Sequence, residues 1–272
     1  MTDHERLPAP LDRAALRAEL IGTGLGWRRL DVVEQTGSTN ADLLAQAASG
    51  ADVAGAVLIA EHQTAGRGRH GRGWSSGPRT QITMSVAVSV VDVPTEGWGW
   101  LSLAAGVAVV DAVHAVTGVR TGLKWPNDVL AGPHDAPGKL AGILAEVARP
   151  VVVIGLGLNV FEAPEAVDGA TRPVSLVDLG VAVPDRGRLV SGLLTELGRR
   201  IVAWRAARGA DWALAADYQA RSLTIGSRVR AHLPGGRQIV GTASGIDDQG
   251  RLCIDTERRT VVVSAGDVVH LR

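Results

Sequence analysis

The sequence predicts an α+β domain of about 220 residues followed by a small all-β appendage. Three observations carry this. Up to Gln219, segments with helical apolar spacing are interspersed with segments of two-residue alternation, with no internal repeat or heptad. After Ile225 the pattern changes to short alternating runs separated by turn residues. Apolar residues make up 46% of the 272, enough to fill a core. The expected division is 1–224 for the first unit and 225–272 for the second.

Asp12 is placed to cap a short helix that carries Leu16 and Leu20 on one face. Alternation around Leu30, Val32 and Glu34 reads as a strand that ends by Gly37. Ser38, Thr39 and Asn40 then cap a helix through Ala48, closed by Gly50. Val57–Ala60 is a second strand, and Gln81–Val91 a third with two-residue alternation. Trp98–Val116 has helical spacing and almost no charge, which predicts a buried helix. Gly122–Trp125, Leu140–Val147 and Val151–Val160 read as further strands, and Asp185–Arg205 and Ala210–Gln219 as helices.

In the appendage the strands are expected at Arg228–Leu233, Gln238–Ser244, Leu252–Asp255, Thr260–Val263 and Val268–Leu271. Turn signals at Pro234-Gly235-Gly236, Asp247-Asp248-Gln249-Gly250 and Ala265-Gly266 separate them, as in a small SH3-like barrel.

Formal net charge is zero, so no global field recruits nucleic acid or anionic lipid. The single cysteine, Cys253, sits in an alternating run and is expected in the core. One cysteine forbids an internal disulfide, which fits a reducing compartment. Met1–Pro10 has no apolar stretch of the signal-peptide kind, and no apolar run is read as long enough to span a bilayer. A cytoplasmic protein is expected.

The chain holds only two lysines, Lys124 and Lys139, against 26 arginines. A lysine ammonium is a compact charge that can lose its proton, whereas a guanidinium is a fixed fork that cannot. Function is where such a chain should keep lysine. Both stand in distinctive surroundings, Lys124-Trp125-Pro126-Asn127-Asp128 and Gly138-Lys139-Leu140-Ala141-Gly142.

The strongest local motif is Gly66-Arg67-Gly68-Arg69-His70-Gly71-Arg72-Gly73-Trp74. Its glycines let the backbone approach an anion, and its arginines offer forked donors to phosphate oxygens. No acidic residue lies between Glu61 and Asp92, so the loop is expected to be mobile while empty. Taken alone, the stretch also fits an RNA-binding segment or a plain surface loop.

Standard nucleotide motifs fail. Gly132–Lys139 has five residues between its glycines and Leu140 where a P-loop needs Ser or Thr. Gly155-Leu156-Gly157-Leu158-Asn159 lacks the third glycine of a dinucleotide fingerprint and lies within a strand pattern. Those glycines are read as leaving room for a ligand across the sheet, with bulge or packing as the alternative. No HExxH or GxSxG arrangement occurs.

Taken in order, Gly37–Asn40, Gln63 with Gly66–Trp74, Lys124–Asp128, Gly138–Glu146 and Gly155–Asn159 resemble the biotin–protein ligase family across the catalytic domain. The resemblance implies a class II synthetase-like, biotin–lipoate ligase fold: a mixed sheet with helices packed on it and a C-terminal SH3-like barrel. It implies a two-step reaction. Biotin and ATP with Mg²⁺ give biotinyl-5′-adenylate, and the biotinyl group then passes to a lysine of a biotin carboxyl carrier domain of an acyl-CoA carboxylase.

By the same resemblance Lys139 bridges the two reacting anions, with Arg69 and Asp128 completing the catalytic set. Ser38, Thr39, Asn40, Gln63, Gly66, Arg67, Gly68, Arg69, Lys139, Gly142 and Gly157 would line the biotin site, with Ser38, Thr39 and Gln63 serving the ureido ring. Arg69, Arg72, Trp74, Lys124, Asn127 and Asn159 would hold the nucleotide. Asp128 would bind Mg²⁺ or assist deprotonation of the acceptor lysine. Taken alone, Ser38-Thr39-Asn40 is only a helix cap.

About 25 residues precede the first strand, too few for a DNA-binding winged helix, so neither a DNA partner nor a membrane partner is expected. Two rivals stay open. A lipoate–protein ligase shares the fold, although the arginine-rich loop and Gln63 favour biotin. An RNA- or anion-binding module would use the loop alone.

Overall fold

The computed structural model describes residues 7–75, 77–166 and 170–271. Helix α1 (Arg13–Leu20) starts where the Asp12 side chain accepts the Ala15 N–H, and it buries Leu16 and Leu20. Strand β1 (Arg29–Val33) is followed by α2 (Thr39–Ala48), capped by Ser38, and by β2 (Ala56–Ala60), parallel to β1. Two dipeptides, β3 (Gly66–Arg67) and β4 (Gly73–Trp74), form a short antiparallel ribbon that the sequence did not announce. Strand β5 (Gln81–Ser89) leads through a 3₁₀ turn (Thr95–Gly99) to α3 (Trp100–Thr117).

Four antiparallel strands follow: β6 (Thr121–Lys124), β7 (Asp128–Ala131), β8 (Gly138–Ala148) and β9 (Val151–Asn159). The β7 strand was also unforeseen, because its four residues follow the Trp125-Pro126 turn too closely to show alternation. Helices α4 (Arg186–Ala206) and α5 (Trp212–Arg221) are capped by Asp185 and Asp211. The seven strands order as β1-β2-β5-β9-β8-β7-β6, a mixed sheet parallel only at β1/β2.

Helices α3 and α4 pack together over one face of this sheet, and α2 covers part of the other. Strand β5 therefore runs between two layers and is buried on both faces. Its chemical alternation is real, but its polar residues face α2 instead of water. The stretch Thr95–Thr117 corrects one expectation, since it is long and apolar enough to cross a bilayer. Here it is mostly buried as the central core helix, packed against α4, α5 and the sheet.

The last five strands, β10 (Arg228–His232), β11 (Gln238–Ile246), β12 (Leu252–Asp255), β13 (Thr260–Val263) and β14 (Asp267–His270), form an antiparallel sheet ordered β13-β12-β11-β10-β14. Among the described residues β13 and β14 do not pair, so the hydrogen-bonded sheet is open. Its buried residues, Val229, Ala231, Leu252 and Ile254 among them, join the main core. Cys253 is only half-buried, because the alternation that buries Leu252 and Ile254 turns it to the other face.

Candidate active site

The site lies on the α2 face of the large sheet. Cross-strand pairing sets Ser85 opposite Gly155, Thr83 opposite Gly157 and Gln81 opposite Asn159, while β8 sets Gly142 opposite Gly157 and Leu144 opposite Gly155. Strand alternation then places Gly142, Leu144 and Glu146 on this same face. Lys139 lies an odd number of residues from Gly142 and would face the core. A bulge prevents this. Val129 pairs with Ala141 and Leu130 with Lys139, leaving Leu140 as the extra residue. Leu140 and Ala141 both enter the core, and a Cβ on Gly142 would sit 3.2 Å from the Lys139 Cε and Nζ.

At one end is a polar floor. Ser38, Thr39 and Asn40 at the start of α2 are almost fully buried, as is Gln63. The Thr39 N–H donates to the Gln63 Oε1 at 2.8 Å, and Thr39 Oγ1 lies 3.0 Å from that oxygen and 2.7 Å from Ser85 Oγ. Ser85 donates to Asn40 Oδ1 at 2.6 Å, and Asn40 Nδ2 donates to Glu146 Oε2 at 2.8 Å. A side chain at Gly155 would collide with the Asn40 amide. That glycine makes room for Asn40.

The glycine–arginine loop closes over this floor. Arg67 pairs with Glu146, and a Cβ on Gly66 would meet the Gln63 Nε2 at 2.9 Å. Arg69 donates to Asn127 Oδ1 at 3.0 Å and to the Gly266 carbonyl at 3.3 Å. Arg72 reaches Asp267 at 2.5 Å, and His70 lies 3.6 Å from the same carboxylate. The arginines of the loop are thus paired with acidic and amide groups, where the local sequence had left their charge uncompensated. Their acidic partners come from β8 and β14, too far along the chain for a local reading to include. A cavity of about 460 Å³ lies between Gly66–Gly73, Leu144 and Glu146.

Trp74 closes the other end. Its indole lies on Gly157, where a side chain would enter the ring, and donates to Gln81 Oε1 at 2.8 Å. The space that the glycines were expected to leave for a ligand therefore holds Trp74 at this position. Lys139 Nζ is 5.7 Å from the indole centroid and 2.7 Å from Asp128 Oδ1. Lys124 Nζ donates to Thr171 Oγ1 at 3.1 Å. Burial pulls the Lys124 ammonium below the ordinary lysine range; Asp128 opposes this shift and the Lys139 charge adds to it. Burial likewise lowers Arg69, against the pull of Asp267 and Asp128.

Asn127 Nδ2 donates to the Ile143 carbonyl at 3.0 Å, which leaves Oδ1 to Arg69. Asn159 is fully buried and gives its amide to the Lys139 and Val174 carbonyls at 3.2 and 2.9 Å. It ties the Lys139 backbone down. Among the described residues no group of three or more His, Cys, Asp or Glu is arranged to hold a metal ion. A lone carboxylate at Asp128 fits a cation carried in on nucleotide phosphates better than a resident metal.

The structure therefore brings Ser38, Thr39, Asn40, Gln63, Gly66–Trp74, Lys124, Asn127, Asp128, Lys139, Gly142 and Gly157 around one face. Sequence reasoning missed Ser85, Gln81, Glu146, Thr171 and Asp267. Gln81, Thr83 and Ser85 did carry a signal, as polar residues at every second position of an otherwise apolar strand.

Residues 32–159 match the biotin/lipoate A/B protein ligase family, and residues 224–271 match the biotin protein ligase C-terminal domain. The chain is 67% identical over 275 residues to the biotin–[acetyl-CoA-carboxylase] ligase of Mycobacterium tuberculosis, covering 100% of each. It is 30% identical over 259 residues to the bifunctional ligase/repressor BirA of Bacillus subtilis, covering 94% of this chain and 77% of that one. The fold is similar to the biotin protein ligase from Aquifex aeolicus in complex with biotin and ATP, with a TM-score of 0.77, 23% identity and coverage of 90% and 100%. It is also similar to that from Leishmania major in complex with biotinyl-5-AMP, with a TM-score of 0.60, 24% identity and coverage of 88% and 99%. These two likenesses bear on the fold.

Proposed function

The chain belongs to the biotin protein ligase family, and we infer from that kinship an ATP-dependent ligase that makes biotinyl-5′-adenylate and transfers biotin to a carrier lysine. The observation that supports this best is the layout of one sheet face. The polar floor meets Gly155, and Trp74 with Lys139 meets Gly157 and Gly142. Gly155 and Gly157 are two residues apart on β9, about 7 Å, a span suited to an acid with a ring at one end and a carboxylate at the other.

In this reading Thr39, Gln63 and the backbone around Gly66 and Gly68 take the ureido ring, with Ser38 and Asn40 shaping the pocket. The valerate chain lies along Gly157 and Gly142, with Trp74 moving aside to cover ring and nucleotide. Lys139 meets the carboxylate and the α-phosphate together and offsets their repulsion. A carboxylate oxygen attacks the α-phosphorus, the bond to the β-phosphate oxygen breaks, and pyrophosphate leaves with its charge facing Lys139, Lys124 and Arg72. Arg69 spans biotin and phosphate, and Asn127 aims it. Asn159 holds Lys139 from beneath.

In the second step the neutral amine of the carrier lysine attacks the acyl carbon, and the acyl–phosphate C–O bond breaks to release AMP. Asp128 is placed to accept the ammonium proton once Lys139 turns to phosphate. Mg²⁺ would arrive on the triphosphate with Asp128 as its protein ligand and would neutralise the leaving pyrophosphate. The acceptor is the biotinyl domain of an acyl-CoA carboxylase. We take 1–224 as the catalytic unit and 225–272 as an SH3-like module that buttresses the loop through Asp267.

Titration with biotin, with and without ATP and Mg²⁺, followed by mass analysis of the small-molecule product, tests the reading. Biotinyl-adenylate should form with wild type and fall by about 10²–10³-fold with Lys139→Ala. Absence of adenylate from biotin and its appearance from lipoate would overturn the choice of substrate.

A further inference from the structure

Resting on the biotin-ligase reading, we propose that Glu146 and Ser85 are positioning residues that join loop closure to ureido recognition through one directed hydrogen-bond chain. The direction follows from counting protons. Ser85 spends its hydroxyl hydrogen on Asn40 Oδ1, so in its 2.7 Å contact with Thr39 it must accept. Thr39 Oγ1 is within reach of two acceptors, Ser85 Oγ at 2.7 Å and Gln63 Oε1 at 3.0 Å; its single hydrogen goes to the nearer, and Gln63 Oε1 keeps the Thr39 backbone N–H as its donor. The chain then reads Thr39 to Ser85 to Asn40 to Glu146, every donor pointing toward the carboxylate. Arg67 of the loop donates to the other oxygen of that carboxylate.

Two consequences follow. Thr39 Oγ1, with its hydrogen turned toward Ser85, presents lone pairs to the pocket, the polarity an N–H donor of a cyclic urea requires. Closing the loop sets Arg67 on Glu146 and fixes the acceptor at the end of the chain, so loop and floor order together. Ser85 is fully buried and the mechanism gives it no other task. Glu146 faces the cavity under the loop, with no other cation paired to it among the described residues.

The test measures biotin Kd, adenylate release rate and KM for ATP in wild type, Ser85→Ala, Glu146→Ala, the double variant and Glu146→Gln. Each alanine variant should weaken biotin about tenfold, as loss of one buried hydrogen bond implies, with KM for ATP within about twofold. Because both residues act through one chain, the double variant should bind no more than about twofold worse than the poorer single variant. Glu146→Gln keeps an acceptor for Asn40 but loses the Arg67 charge, so it should bind biotin nearly normally while releasing adenylate faster. Multiplicative effects in the double variant, equal loss of ATP and biotin affinity, or normal biotin binding in Ser85→Ala would each overturn the proposal. Wild type failing to bind biotin would instead overturn the family reading beneath it.

Discussion

The Arg72 guanidinium meets the Asp267 carboxylate at 2.5 Å across 195 positions of chain, tying the glycine–arginine loop to the last strand of the C-terminal sheet. Burial pushes the Asp267 carboxyl up. The Arg72 hydrogen bond and the charges of Arg72, His70 and Arg69 outweigh that and hold it below the usual carboxylate range. An anion already sits among cations that the proposed function assigns to phosphate. A group with a depressed folded pKa adds stability above its unfolded value, which is lost as pH falls through the folded one. The tie therefore persists through neutral pH and opens only in acid.

Asp267→Asn should loosen the loop with little effect on the fold. The pair is partly exposed, so the global cost is expected at no more than about 1 kcal/mol. Hydrogen exchange at pH 7 should rise across residues 66–74 in the ligand-free variant and return toward wild type when nucleotide and biotin are added. Unchanged exchange in that segment would remove the C-terminal sheet as its anchor.

Arg69→Gly should turn a ligase that keeps its intermediate into one that leaks it. The side chain reaches Asn127 and the Gly266 carbonyl, so it fastens the loop to both units. An acyl-adenylate must be shielded from water until the carrier docks. Release should rise by at least about tenfold, with added bystander protein becoming biotinylated on lysines. Retention equal to wild type would show that closure does not depend on this residue.

How far the site was legible depended on the distance over which each cause acts. Caps at Asp12 and Ser38, the buried helix α3 and the α2 cluster were local and could be read. Lys139 was singled out by rarity and by resemblance, yet strand alternation alone would have aimed it into the core. Only the bulge at Leu140 turns it to the site, and a bulge leaves no mark in the apolar pattern around it. The loop was expected to be mobile because its charges looked uncompensated. Glu146 and Asp267 compensate them from β8 and β14, which no window around Gly66–Trp74 contains.

Lys124 gives a pH dependence whose sign can be worked out. Burial holds its ammonium below the ordinary lysine range in the free protein. Bound phosphate stabilises the charged form and raises its pKa, so binding takes up a proton once the free group has begun to lose one. Affinity for ATP should therefore fall as pH rises through that lowered value, earlier than an ordinary lysine near 10.4 allows. Calorimetric Kd for ATP across pH 7–10 should show the decline in wild type. Lys124→Met should bind more weakly throughout with the decline flattened, and the same slope in both would assign the proton elsewhere.

Gly157→Ala tests the placement of Trp74. Gly157 lies mid-strand between β5 and β8, paired with Thr83 and Gly142, so its backbone has little freedom to move. The added methyl would enter the indole, and the ring is the part that can yield. Moving it breaks the 2.8 Å bond to Gln81 Oε1 and draws the aromatic face away from Lys139. Overpacking of this kind costs about 1–3 kcal/mol, which a denaturant midpoint would register. The methyl also stands where the valerate chain is proposed to lie, so KM for biotin should rise about tenfold, while Gly155, Asn40 and the floor stay in place. An unaltered KM for biotin would remove Gly157 from the path of the valerate chain, and a variant structure with Trp74 unmoved would show that the indole does not yield to the methyl.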